Sequence, residues 1–123
     1  MSQHNRLGSL SASTLIGDKV KNTEDDDLGK IEDLMIDLDT GRIAYAVLSF
    51  GGFLGMGDKY FAVPWMSLEI DLEEKCVRFD MDPDRLEKAP GFDKDNWPKS
   101  TDFTVETNVY EFYGVENPFV SRD

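Results

Sequence analysis

Between Lys19 and Met81 the apolar positions tend to recur every second residue, in short runs separated by turn residues. Such a period marks strands that present one face to a core and one to water. Lys19–Asn22 predicts a short strand, Thr23–Asp27 an acidic turn, and Leu28–Leu38 a long strand. Asp39-Thr40-Gly41 predicts the turn after it, because Asp and Thr satisfy nearby amides and Gly accepts the positive φ of a hairpin. Arg42–Phe50 is the return strand and Lys59–Trp65 the next, with Pro64 at its end or on an edge. The clearest hairpin follows. Leu68, Ile70 and Leu72 alternate with Glu69, Asp71 and Glu73; beyond a Glu74-Lys75 turn, Val77, Phe79 and Met81 alternate with Arg78, Asp80 and Asp82.

The same parity gathers Ile43, Tyr45, Val47, Leu68, Ile70, Leu72, Val77, Phe79 and Met81 into one core, and turns Cys76 to the wet face beside Arg78. Two short helices flank the strands. Ser11 caps a turn over Ala12–Ile16 that Gly17 ends; Asp82-Pro83 opens a second that runs through Arg85–Ala89 to a stop at Pro90-Gly91. Strands this short, linked by tight turns, predict a mainly β fold: a small antiparallel β-barrel with short helices and an aromatic-rich C-terminal extension. The expected division is a leader at 1–9, the barrel domain at 10–91, and an extension at 92–123 that docks on the barrel or on a second subunit.

Two segments break the alternation. Gly51–Gly57 holds four glycines together with Phe53, Leu54 and Met56, an unusual apolar load for a loop. These side chains either plug one mouth of the barrel or form a contact patch. In the extension, Phe92, Trp97, Phe103, Tyr110, Phe112, Tyr113 and Phe119 sit among polar and turn residues. So many rings argue against disorder, and Val109, Phe112 and Tyr113 have helical spacing.

Charge changes the picture of partners. Thirteen basic against 25 acidic residues leave a net charge of −12 and a pI near 4.3 in 123 residues. A polyanion is repelled by phosphate backbones, so no direct nucleic-acid binding is expected, whereas a basic protein would be attracted. Cys76 is the single cysteine and cannot close an internal disulfide. The N-terminus has no signal-peptide core and no apolar run is long enough for a membrane span, which sets cytoplasmic as the expected location.

No motif supplies a catalytic, cofactor or metal site. Asp39-Thr40-Gly41 matches the triplet of aspartic proteases, but Arg42 follows where those enzymes place a small residue, and the triplet falls on a hairpin turn. Gly57-Asp58-Lys59-Tyr60 leads into a strand, whereas a phosphate loop leads into a helix. Glu24-Asp25-Asp26-Asp27 could gather a hard cation but lacks the spaced ligands of a calcium loop, so it reads as a solvated acidic turn. His4, the only histidine, lies in the leader.

The run L-S-A-S-T-L-I-G-D-K-V-K-N at 10–22, then L-G-K-I-E-D-L-M-I-D-L-D-T-G-R-I-A-Y-A-V-L-S-F-G-G-F-L-G-M-G-D-K-Y-F-A-V-P-W at 28–65, resembles the PRC-barrel family. That family is named from the cytoplasmic domain of the photosynthetic reaction-centre H subunit. The resemblance spans Leu10 to Pro98 and includes the later hairpin and A-P-G-F-D at Ala89–Asp93. It implies a small antiparallel barrel that serves as an adaptor surface and not as an enzyme. Neither the membrane helix of the reaction-centre subunit nor the extra N-terminal domain of the ribosome-maturation relative has a counterpart here, which implies a stand-alone bacterial member.

The expected function is therefore a non-catalytic adaptor that binds another protein and pairs as a two-fold homodimer, with no cofactor. Its expected surface comprises Phe53, Leu54, Met56, Trp97, Tyr110, Phe112 and Tyr113. Analogy with relatives offers two other roles: a ribosome-maturation or RNA-processing accessory acting through a basic protein, and a reaction-centre-H-like association with a membrane.

Overall fold

The computed structural model describes residues 8–51, 58–93, 95–99 and 104–118. Phe53, Leu54 and Met56 lie outside the described residues, as do His4, Phe103 and Phe119. Helix α1 (Ala12–Leu15) is a single turn capped by Ser11, whose hydroxyl accepts the Thr14 amide at 3.2 Å. Strand β1 (Lys19–Lys21) leads through the acidic turn to β2 (Asp27–Ile36), which pairs with β3 (Ile43–Gly51). Strand β4 (Asp58–Pro64) continues the antiparallel run, and a 3-10 turn at Trp65–Ser67 leads to the β5 (Leu68–Asp71) and β6 (Cys76–Phe79) hairpin. Helix α2 (Pro83–Leu86) starts at an Asp82 cap with Pro83 in its first turn. Strand β7 (Gly91–Phe92) and helix α3 (Thr104–Tyr113) follow.

The sheet corrects the expected all-antiparallel barrel. Its seven strands run in the order β5-β6-β1-β2-β3-β4-β7, with β5 at one end and β7 at the other, so the sheet is not closed. One junction is parallel: β1 and β6 run in the same direction, with Val20 opposite Val77. The reason is connectivity. The β5–β6 hairpin follows β4 in the chain but joins the sheet on the far side of β1, and the direction in which it arrives sets its sense there.

The sheet is curled, and bulges help to bend it. Pairing of β2 with β3 slips between Ile31 and Asp33 and again between Met35 and Ile36. Leu28, Ile31, Leu48, Val63, Val77, Phe79 and Leu86 pack inside the curl with Leu15 of α1. Side chains of this size are each worth about 1.5–3 kcal/mol when fully buried. Gly29 lies where β2 passes close against the backbone of β3; a Cβ there would sit 2.0 Å from the Ser49 carbonyl oxygen.

Parity misplaces several expected core positions. Strand β3 is buried on both faces, so Ala46 and Leu48 join the inner cluster while Tyr45 and Val47 join an outer one with Ala44, Ala62 and Val109. Ile43, Leu68, Ile70 and Met81 are half-buried, and Leu72, in the turn after β5, is 42% exposed. Cys76 shares Arg78's face as parity requires, yet it is buried, because that face is not wet at this point.

Candidate functional site

The outer face of β3 and β4 is roofed by α3 and the aromatics that precede it. Val109 and Tyr110 are buried there, and the Tyr110 hydroxyl donates to the Ala44 carbonyl at 2.6 Å. A buried tyrosine needs such a partner, and this one ties the helix to the exit of the β2–β3 turn. Trp97 is half-buried, with its ring 4.9 Å from Phe92 and 5.3 Å from Tyr60. Together with Pro90, Pro98, Lys99 and Asn108, Phe92 and Trp97 line an open hollow of about 760 Å³ beside β7.

At the other end of α3, Tyr113 stands 5.8 Å from Phe79 and 5.0 Å from Phe112. Burial pushes its phenol pKa well above the ordinary value, and its hydroxyl has no hydrogen-bond partner among the described residues. Phe112 is half-buried and held from outside the helix: the Arg85 guanidinium lies 5.1 Å from its ring centroid and donates to its carbonyl at 2.8 Å. Of the expected surface residues, Phe112, Tyr113 and Trp97 thus reach the surface in part. Tyr110 lies beneath them, and the three loop residues are outside the described structure.

Sequence reasoning missed a second apolar area. Leu38 is 82% exposed, Met66 67% and Ile36 53%. Ile36 pairs with Ile43, Met35 with Tyr45 and Tyr45 with Pro64, so the register puts Ile36, Leu38 and Met66 at the same end of β2, β3 and β4. A leucine within the D-L-D-T-G turn was the available signal.

The acidic turn is built, not merely solvated. Asn22, itself buried, accepts the Glu24 and Asp26 amides on Oδ1, each at 2.9 Å, and donates through Nδ2 to the Met81 carbonyl at 3.0 Å. Arg78 reaches across from β6 to the Asn22 carbonyl at 3.0 Å, to Asp25 at 2.6 Å and to Asp71 at 3.2 Å. These bonds pin the β1–β2 turn to the β5–β6 hairpin beside Cys76. Among the described residues no three His, Cys, Asp or Glu side chains are placed so that together they could hold a metal ion.

The pin predicts an acid-sensitive element. The Arg78 hydrogen bond holds the Asp25 carboxyl below its ordinary pKa, while the Glu74 amide, followed by Arg78, does the same for Asp71. Carboxyls depressed in the folded state add stability that is full above about pH 4 and lost as pH falls through their folded values. Arg78→Ala should therefore shift acid unfolding to higher pH. It should also open the Cys76 thiol, whose pKa burial raises, to a disulfide reagent such as DTNB. A thiol that stays as slow to react as in the parent protein contradicts the pin.

Among the described residues no helix is long and apolar enough to cross a membrane. No curated protein matches the chain. A family model does: PRC-barrel domain, over residues 8–86, a segment that carries α1, β1 to β6 and α2, and with them nearly all of the inner cluster. With more than half of its length matched, the chain belongs to the PRC-barrel domain family.

Proposed function

We propose that this protein is a non-catalytic interaction module, an adaptor that binds another protein and pairs with itself as a two-fold dimer. Membership of the PRC-barrel family supports the non-catalytic class. The observation that carries the contact is Phe112. Its ring is partly open to solvent yet fixed by Arg85 from above and Tyr113 from the side, so little side-chain freedom remains to be lost on binding. Ordered aromatics of this kind are the residues that interfaces concentrate. Trp97 extends the same layer, and the Gly51–Gly57 loop, with Phe53, Leu54 and Met56, is the second candidate contact. Net charge of −12 favours a basic partner, and a cytoplasmic setting accords with the single thiol.

Light scattering at micromolar concentration tests the self-association. The parent protein is expected at twice its 13.9 kDa chain mass, and the Trp97→Ser, Phe112→Ser double variant at the single-chain mass. A parent protein that runs as one chain removes the dimer. A dimer indifferent to both that variant and Phe53→Ser, Leu54→Ser removes the contact.

A further inference from the structure

The open sheet leaves β5 as an end strand, and among the described residues no strand pairs with its outer side. The Leu68 amide already donates to the Trp65 carbonyl. The pairs that exchange hydrogen bonds with β6 are then Glu69 with Arg78 and Asp71 with Cys76, since such pairs alternate along an antiparallel ladder. Ile70, between them, must aim its N–H and C=O at the open edge. Its side chain packs on the inner cluster, while Glu69 on the opposite face is exposed.

Charge selects the occupant of that edge. A second copy pairing β5 with β5 around Ile70 would set Glu69 against Asp71, and like charges directly opposite are destabilising. Arg78 offsets this only in part, because its Nε is held by Asp71 and its Nη1 by Asn22 and Asp25. Glu73 and Glu74 add further negative charge in the adjoining turn. The complementary strand is basic, apolar, basic, with the apolar residue opposite Ile70 and cations opposite Glu69 and Asp71. The chain's own triplet of this kind, Lys19-Val20-Lys21, is already seated as β1 on the other side of β6.

We propose that the β5 edge is a docking site for a basic extended segment of another protein, which adds to the sheet as an eighth strand through the Ile70 backbone and is held in register by Glu69 and Asp71. The surface is distinct from the Phe112 layer, so it stands or falls independently of the dimer. The exposed Leu72 and Met66 flank the site and offer apolar contacts to the ends of such a segment.

The probe is a short fluorescein-labelled peptide of alternating Lys and Val, titrated against the full chain at low and moderate salt. Binding is expected, together with slowed hydrogen exchange at the Ile70 amide. Glu69→Lys with Glu73→Lys should weaken binding about tenfold or more. Glu87→Lys with Glu111→Lys makes the same change of net charge at exposed positions elsewhere, and should weaken it far less. No binding overturns the proposal. Equal weakening by the two double variants overturns it too, since attraction would then come from overall charge. So does an Ile70 amide that exchanges at the same rate with and without peptide.

Discussion

Gly29→Ala is expected to destabilise the protein by about 3 kcal/mol or more, among the larger effects available to a single methyl group. Two costs coincide at this residue. Its φ of +91° lies where an L side chain is strained by roughly 1–2 kcal/mol. A Cβ would also meet the Ser49 carbonyl oxygen at 2.0 Å, its carbon at 2.9 Å and the Phe50 Cα at 3.2 Å, all of them backbone atoms. A flexible side chain could swing away, but backbone cannot without parting β2 from β3 beside Leu28 and Leu48, both fully buried. Gly41→Ala separates the two costs. Gly41 has a φ of +78° in the β2–β3 turn, and nothing lies within 4 Å of its added Cβ. Its loss should stay near about 1–2 kcal/mol, the strain alone. Urea unfolding of both variants gives the comparison, and equal losses would mean that the close approach of β2 to β3 does not constrain Gly29.

The contrast between these glycines bears on what a sequence can disclose. Gly41 is readable because it ends an Asp-Thr-Gly turn; Gly29 sits inside a strand pattern, and only the fold tells it from a tolerated irregularity. The same division runs through the sheet. The β5–β6 hairpin is largely legible, since Glu69 and Asp71 against Leu68 and Ile70 keep one face polar and Lys75, expected in the turn, takes a φ of +55° there. The turn begins two residues early, however, at Leu72, whose place in the alternation suggests the core. Strand β3 is legible as a strand but not in its facing. A-Y-A-V-L-S-F carries no polar rhythm because both faces are covered, and which residue faces which cover depends on bulges and on a helix some sixty residues away. Strand β7, two residues long, has no periodicity to read.

For the candidate surface, composition identified the aromatic segment but could not rank its members. Tyr110 lies below the surface and Phe112 partly on it because Ala44 and Arg85 make the deciding contacts, and neither adjoins the helix in sequence. Cys76 follows the same logic. Parity assigns its face correctly, but the face is dry because a turn from β1 and β2 folds over to reach Arg78. Local pattern fixes which way a side chain points; what lies there is set by the rest of the chain.

Val109→Asp is expected to detach α3 while leaving the inner curl of the sheet folded. Val109 is fully buried against the outer cluster of Ala44, Tyr45, Val47 and Ala62, an apolar setting for a carboxylate. Burying an unpaired charge costs several kcal/mol, more than a ten-residue helix gains from one docked face, so the helix should leave. Asn108→Asp adds the same charge one position earlier, on the exposed side, and should change stability by no more than about 0.5 kcal/mol. The two tryptophans report on the two layers separately. Trp97 packs with Phe92 and Tyr60 in the outer layer, whereas Trp65 packs against the inner cluster. In Val109→Asp the emission of Trp97 should move to longer wavelength and that of Trp65 should not, which Trp65→Phe and Trp97→Phe backgrounds resolve. Circular dichroism should lose helical signal in parallel, and a dye for exposed apolar surface should bind the uncovered face of β3 and β4. The physical basis is the placement of the apolar side chains. Apart from Ala89, every fully buried member of the inner cluster falls within residues 8–86, whereas the outer cluster needs Val109 and the rings of Phe92 and Trp97. Loss of both tryptophan environments at one urea concentration would instead make the outer layer part of a single cooperative unit, with α3 as necessary to the sheet as its own strands.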